Sequence, residues 1–195
     1  MEKLAELSAN RLVKAIKKKQ ISSLVLLEFY IERYKRLNSG INAIIGTGFK
    51  NARKRARAAD AATAKGDSWG PLHGLPMTGK DKIEVVGMPT TNGNPQFKDF
   101  MPFKNADVVQ ALLDAGAIIF GKTNLPLGAM DTQTFNKLFG QTNNPWNSLS
   151  LVAYLPATIA PVGFTTDGLP VGVQIIGHYL EDLTPIQFAM LLEKK

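Results

Sequence analysis

Apolar residues recur at helical spacing in the first third of the chain and predict three helices. The first runs from a cap at Ser8 to about Lys18, and the second follows a cap at Ser22 or Ser23. The third covers about residues 49–65 and is rich in alanine. The inward-facing positions of the first two helices are Leu12, Val13, Ile16, Leu27, Tyr30, Ile31 and Tyr34. Both stripes indicate helices that pack on a core rather than helices that carry chemistry.

Short apolar runs bounded by glycine and proline follow these helices and predict buried strands. A helix over 108–115, capped by Asp107, precedes one of these runs, and Thr184 opens a last helix that ends at about Leu192. An Asp-Gly turn within Thr166–Gly168 predicts a hairpin. The apolar runs are 42–45, 75–78, 83–86, 117–120, 160–164 and 171–176. This alternation predicts an α/β protein with a mixed β-sheet core covered by α-helices, in one domain over residues 1–195.

The composition excludes several kinds of chemistry. The chain has 195 residues and no cysteine, which excludes disulfides, thiol catalysis and cysteine-ligated metals. Its two histidines, His73 and His178, leave little for a metal site, so we expect neither a metal nor a cofactor. No apolar run approaches the roughly 18 residues of a membrane span. The first ten residues lack the apolar core of a signal peptide, and we therefore expect a cytoplasmic protein with no membrane partner.

The net charge of +7 raises the question of nucleic-acid binding. In the helix over 49–65, the basic residues Lys50, Arg53, Lys54 and Arg57 fall on one face, and alanines fall on another. No aromatic residue lies between the basic ones, so stacking on bases is not suggested. The pattern favours an amphipathic helix with a solvated basic face. A nucleic-acid binder is the less favoured alternative, and it predicts an affinity that falls steeply with salt.

The segment Gly70–Asp81, GPLHGLPMTGKD, brings Lys80 to the end of an apolar run. A lysine acts as a base only when it is neutral, and burial beside apolar strands lowers its pKa toward that state. Taken alone, Lys80 is more simply a lysine that ends a strand, because isolated lysines are rarely catalytic. The sequence around it changes that interpretation.

The order of motifs after Lys80 resembles the amidase signature family, the serine amidases that use a Ser–cis-Ser–Lys triad. The motifs are GPLHGLPMTGKD, PTT at 89–91, GKTN at 121–124, FGQTNNPWN at 139–147 and LPATIAPVGFTTDGLPVGVQIIG at 155–177. The resemblance covers nearly the whole chain. It implies an amidase fold, hydrolysis of carboxamide C–N bonds, a small-molecule amide as substrate, and Lys80 as the catalytic lysine. Gly79 departs from the pattern, because relatives usually carry a β-branched residue there.

The same resemblance assigns roles to other segments. The Gly121–Asn124 segment corresponds to a turn that supports the site wall. The loop Leu127–Phe135 occupies the position from which relatives line the acyl pocket, and Asp131 and Gln133 are its polar candidates for a substrate-pocket role. The C-terminal hairpin is implied to lie against the strand that leads to Lys80.

The glycine- and serine-rich segment that carries both catalytic serines in the family should follow TNNPWN, and it is missing. Ser148 and Ser150 lie near that point, but neither has the glycine neighbours that an oxyanion hole needs. We therefore expect a truncated amidase-like domain, with an N-terminal portion at 1–147 and a C-terminal portion at 148–195, that is inactive alone. Two alternatives stay open: a noncatalytic binding or assembly module that self-associates, and one part of a split amidase completed by another chain.

Overall fold

The structure, a computed structural model, describes residues 2–131 and 133–143 together with the backbone of two strands at 157–164 and 170–176. The helices are α1 (Ala9–Lys17), α2 (Ser23–Ile41), α3 (Phe49–Lys65) and α4 (Asp107–Asp114). The strands are β1 (Ile44–Thr47), β2 (Pro76–Lys80), β3 (Ile118–Thr123), β4 (Phe135–Asn136), β5 (Gly140–Gln141), β6 (Ala157–Phe164) and β7 (Pro170–Ile176). Short 3₁₀ segments lie at Glu2–Glu6, Pro95–Phe97 and Leu127–Ala129.

The chain divides into two units, Met1–Ser148 and Leu149–Lys195, and each is described by itself. In the first unit, β3 is the central strand of a three-stranded sheet with the order β1-β3-β2. It runs antiparallel to β1 and parallel to β2, so the sheet is mixed. Helix α3 packs on β3, and α2 packs on α3 and on β2. The predicted α/β class with a mixed sheet covered by helices is therefore confirmed, whereas the single domain over 1–195 stays a prediction.

The helical stripes read from the sequence form the core of the first unit. In α1, Leu12, Val13 and Ile16 are buried, although the side chain of Ser8 makes no capping hydrogen bond. The N-terminus of α2 is capped twice, because Ser22 Oγ accepts from one backbone amide of the first turn and the Asp60 carboxylate accepts from two others. The main core cluster consists of Leu27, Ile31, Ala52, Ala56, Ile118 and Phe120.

The basic face of α3 is solvated, as its spacing predicts. The alanines at 52, 56 and 59 are buried, and Lys50, Lys54 and Arg57 are exposed. Arg53 instead makes a two-pronged pair with Glu28 on α2, with Nε–Oε1 and Nη2–Oε2 distances of 2.5 and 2.9 Å. This pair lowers the pKa of Glu28, because the carboxylate accepts a hydrogen bond from the guanidinium. The basic residues on this face of α3 are therefore exposed to solvent, except for Arg53, which pairs with Glu28 on α2.

Some elements differ from their predictions. The apolar segment 83–86 is mostly irregular backbone rather than a strand, and the short β4–β5 hairpin follows no pattern that the sequence shows. In the second unit, β6 and β7 pair antiparallel, so the predicted hairpin is confirmed in its strands. Thr166–Gly168 and the helix expected at 184–192 lie outside the described residues. The pairing of this hairpin with the Lys80 strand stays a prediction.

Candidate active site

Lys80 is the last residue of β2, and it pairs in register with Thr123 of the parallel strand β3. Its side chain is exposed. The side chain makes no hydrogen bond or ion pair with the described part of the chain. A Cβ added at Gly79 would meet only Val85 Cγ2, at 3.9 Å, so the backbone here leaves room for a Cβ. Lys80 thus ends the strand as predicted, in a solvated position.

The next residue, Asp81, is buried and holds the loop that follows it. Both carboxylate oxygens accept from Thr91 N at 3.2 Å, and Oδ2 also accepts from Thr91 Oγ1 at 2.5 Å. Gly93 N donates to the same oxygen at 3.4 Å. Because a buried carboxylate needs such donors, these bonds fix the PTT segment and the residues just after it against the end of β2.

Lys122, in the middle of the GKTN motif, is the buried lysine of this site. It is 0% exposed, and its ammonium donates to Thr90 Oγ1 at 2.9 Å and to Pro89 O at 3.2 Å. Its Nζ lies 3.9 Å from Asp81 Oδ1. Burial lowers the pKa of Lys122 to about 8, although the nearby carboxylates of Asp81 and Glu84 oppose this shift. Asp81 and Lys122 therefore both hold the 89–93 loop through hydrogen bonds.

The GKTN motif is mostly strand rather than turn. Gly121, Lys122 and Thr123 continue β3, which brings Lys122 under the 89–93 loop. The sequence contained a signal for this placement. The AIIF run is shorter than an average strand of about 5–6 residues, which favours a strand that continues into the GKTN motif. The prediction that the motif supports the site wall is consistent with its contacts, but the prediction of a turn is wrong.

The 89–93 loop forms one side of a groove of about 910 Å³. The groove is lined by Asn92, Gly93, Asn94, Pro95, Gln96, Pro126, Leu127, Gly128, Met130, Asp131, Phe135, Asn136 and Lys137. Gly93 has a φ of +66°, and a Cβ there would lie 3.3 Å from Leu127 Cα. Glycine is required at this position because it combines a left-handed backbone with close contact to the opposite side of the groove.

The two polar candidates of the acyl-pocket loop lie at this groove or beside it. Asp131 lines the groove and is exposed, and its Oδ1 accepts from Gln133 N at 3.2 Å. Gln133 is half-buried, and both polar atoms of its side-chain amide are buried without a partner among the described residues. Asp131 is therefore at the groove, Gln133 is not among the residues that line it, and the substrate-pocket role of both stays a prediction.

A network of buried amides, which the sequence does not reveal, holds the far side of the groove. Asn136 Nδ2 donates to Asn124 Oδ1 and to Leu125 O, both at 2.8 Å. Asn136 Oδ1 accepts from the backbone amides of Leu138 and Phe139 at 2.9 Å. These four hydrogen bonds tie the β4–β5 turn to the end of β3 and so hold the far side of the groove in place.

The histidines contribute nothing to this site within the described residues. His73 is buried, with Thr63 Oγ1 2.8 Å from its Nε2, and Trp69 N donates to its Nδ1 at 3.1 Å. Burial lowers the pKa of His73, which keeps it neutral and packed. His178, Ser148 and Ser150 lie outside the described residues. Across residues 2–131 and 133–143, no group of three or more His, Cys, Asp or Glu side chains could hold a metal ion.

No helix among the described residues is long and apolar enough to cross a membrane.

The contribution of Lys122 to the free energy of unfolding is expected to rise with pH above about 8. Its folded-state pKa is about 8 and its ordinary value 10.5, so between these values the unfolded chain binds more protons than the folded chain. The contribution is constant below this interval and grows by up to about 3 kcal/mol across it. Urea unfolding of the wild type and of Lys122→Met, at neutral pH and at a pH of about 10, measures it. A difference between the two proteins that does not change with pH would contradict the expectation.

Comparison with known proteins supplies the family. The amidase family model matches residues 25–152. The indoleacetamide hydrolase of Bradyrhizobium diazoefficiens is 40% identical over 133 residues, which are 68% of this chain and 25% of that protein. A glutamyl-tRNA(Gln) amidotransferase subunit from Aromatoleum aromaticum is 35% identical over 168 residues, 82% of this chain and 34% of that protein. The chain therefore spans about a quarter to a third of the length of these curated relatives.

Solved structures agree with this assignment. A bacterial aryl acylamidase of the amidase signature family aligns with a TM-score of 0.71 and 25% identity, over 80% of this chain and 36% of that one. The peptide amidase of Stenotrophomonas maltophilia aligns with a TM-score of 0.73 over 93% of this chain and 50% of its own, and at 22% identity it supports the fold alone. With the family model covering more than half of its residues, this chain belongs to the amidase family.

Proposed function

We propose that this chain is a catalytically incomplete amidase, which keeps the lysine and the groove of a serine amidase without a nucleophilic serine. The observation that carries the proposal is the solvent exposure of the Lys80 side chain. Its side chain stands exposed at the end of β2 and has no hydrogen-bond partner in the described part of the chain. A lysine that acts as a base needs both desolvation and a hydroxyl group to deprotonate, and the described residues provide neither.

The ancestral reaction defines what is missing. A serine oxygen would attack the carboxamide carbon, ammonia or an amine would leave with the proton that Lys80 relays, and water would then release the acid from the acyl-enzyme. The reaction also needs backbone N–H groups aimed at the developing oxyanion. The serines of the described residues all precede the family's Lys80 motif, and they are Ser8, Ser22, Ser23, Ser39 and Ser68. The absence of a glycine- and serine-rich segment after residue 147 is the cause that we propose for inactivity.

The groove supports a small carboxamide as the ligand. Exposed apolar side chains at Leu127, Met130 and Phe135 provide surface for an aryl or alkyl group. The carboxylate of Asp131, which lines the groove, is the polar group we propose for the carboxamide end, with Gln133 in the same loop as the second candidate. The names of two relatives, indoleacetamide hydrolase and aryl acylamidase, fit an aromatic amide. We further propose that the protein acts in the cytoplasm and requires no cofactor.

A second possibility is a split amidase, in which another polypeptide supplies the serine segment. It is favoured by the coverage of the relatives, since the chain matches only 34% of an amidotransferase component that is by name one part of a larger assembly. A complementing chain would have to bring both serines and the oxyanion hole to Lys80. Nucleic acid is the least supported partner, because α3 presents its basic residues without aromatic neighbours and engages Arg53 in an ion pair.

A fluorophosphonate probe separates these possibilities. We expect no labelling of the purified chain and no hydrolysis of an aromatic carboxamide, while a full-length amidase treated in parallel is labelled. Labelling at a serine, or turnover that disappears in Lys80→Ala, would overturn the proposal of inactivity.

A complementation experiment tests the split-amidase alternative. If a separately produced polypeptide with the glycine- and serine-rich segment restores labelling, and Lys80→Ala in this chain abolishes that labelling, the split amidase is correct. Lys82→Ala is the matched control, because Lys82 is also exposed and lies two residues away.

A further inference from the structure

Six apolar side chains in the 86–108 region are unusually exposed and do not line the groove. Phe103 is 94% exposed, and the others are between 42% and 55% exposed. We call this set the 97–108 patch, after the range that holds five of its six members. The members are Val86, Phe97, Phe100, Met101, Phe103 and Val108. Scattered apolar residues on a surface are ordinary, whereas several from one region indicate a binding surface.

Hydrogen bonds hold the segment 84–90 against the segment 100–106. Thr90 N donates to Phe100 O at 3.0 Å, Val86 N to Asn105 Oδ1 at 2.8 Å, and Ala106 N to Glu84 O at 3.0 Å. The turn at 97–100 is closed by its own backbone bond from Phe100 N to Phe97 O. The apolar side chains are therefore presented on an ordered backbone, which reduces the entropy that a partner would have to remove on binding.

The charges around the patch distinguish between partners. Lys98 and Asp99 lie 3.9 Å apart, Lys104 and Asp107 lie 3.4 Å apart, and all four are at least 65% exposed. Residues 97–108 therefore carry two charges of each sign, whereas the whole chain has a net charge of +7. An anionic lipid surface or an acidic partner would be attracted to the basic parts of the protein rather than to this neutral region.

We propose that the 97–108 patch is a contact surface between two copies of this chain. Two copies repel each other over most of their basic surface, and this neutral apolar region lets them approach. In a two-fold contact the same patch faces itself, so each lysine of one copy can meet an aspartate of the other. Phe103 is the anchor that we propose for this contact, because nearly all of its surface is free to be buried.

Sedimentation velocity over a wide concentration range tests this surface. We expect the full-length chain to show a monomer–dimer equilibrium, and we expect Phe103→Glu to weaken the dimer by at least about tenfold in Kd. The matched control is Met130→Glu, because Met130 is 90% exposed but belongs to the groove. Both side chains are solvated, so circular dichroism should show that each variant stays folded.

Three outcomes would overturn the inference: a wild-type chain that stays monomeric at every concentration, equal weakening by Met130→Glu, or binding of the monomer to anionic vesicles that Phe103→Glu abolishes. The measurement is independent of amide hydrolysis, so its failure leaves the proposed function unchanged.

Discussion

Replacing Lys122 with methionine is expected to lower the free energy of unfolding by about 3–5 kcal/mol at neutral pH. The substitution removes the cation that lies 3.9 Å from the buried carboxylate of Asp81. It also removes the donor to Thr90 Oγ1 and Pro89 O. Breaking a buried ion pair by deleting one partner is costly, because the remaining charge stays out of water without compensation. Urea denaturation, followed by circular dichroism, measures the loss.

Two further variants isolate the cause of this loss. Lys82→Met removes an exposed lysine next to the same segment, and it should change stability by no more than about 0.5 kcal/mol. Combining Lys122→Met with Asp81→Asn removes both charges, so the double variant should be more stable than Lys122→Met alone. The double variant could instead be destabilised by the sum of the losses measured for Lys122→Met and Asp81→Asn separately. In that case the two groups act independently and the ion-pair explanation is wrong.

Truncating Leu27 to alanine should cost about 2–5 kcal/mol. Leu27 is 0% exposed and packs with Ile31, Ile118 and Phe120 in the cluster between α2, α3 and the sheet. The loss combines the transfer free energy of the deleted atoms with the cavity they leave, which the surrounding helices fill only in part. Thermal or urea unfolding of the purified variant gives the value.

The same helix provides the comparison for this variant. Val25 lies two residues earlier on α2 and is 50% exposed, so Val25→Ala should change stability by about 0.5 kcal/mol or less. Similar losses for Leu27→Ala and Val25→Ala would mean that α2 does not pack on the sheet as described.

Much of the fold follows from local patterns. The buried faces of α1 and α2, the alanine face of α3 and the positions of β2 and β3 can all be predicted from spacing, because period and length report directly on which side of an element is buried. The segment 83–86 shows where that reasoning fails. Its apolar residues have the composition of a strand, but the segment is mostly irregular backbone between the turns at 81–82 and 86–87.

The candidate site, like the fold, could be predicted from the sequence only in part. Motif order is sufficient to identify the amidase family, to place Lys80 at the end of a strand, and to locate the loop of Asp131 and Gln133. The Asn136 network cannot be predicted in this way, since its partners come from residues up to 12 positions away and depend on how β4 and β5 fold back. Side-chain amides form such networks only when the backbone brings them together.

The family, the helical faces and the lysine that ends β2 can be predicted from the amino-acid sequence alone, because each depends on residues that are neighbours along the chain. Which lysine is buried depends instead on the tertiary structure. The parallel pairing of β2 with β3 and the return of the 89–93 loop enclose Lys122 and leave Lys80 in solvent. The desolvation that lowers a lysine's pKa comes from contacts between segments about 30 residues or more apart, which no local pattern records.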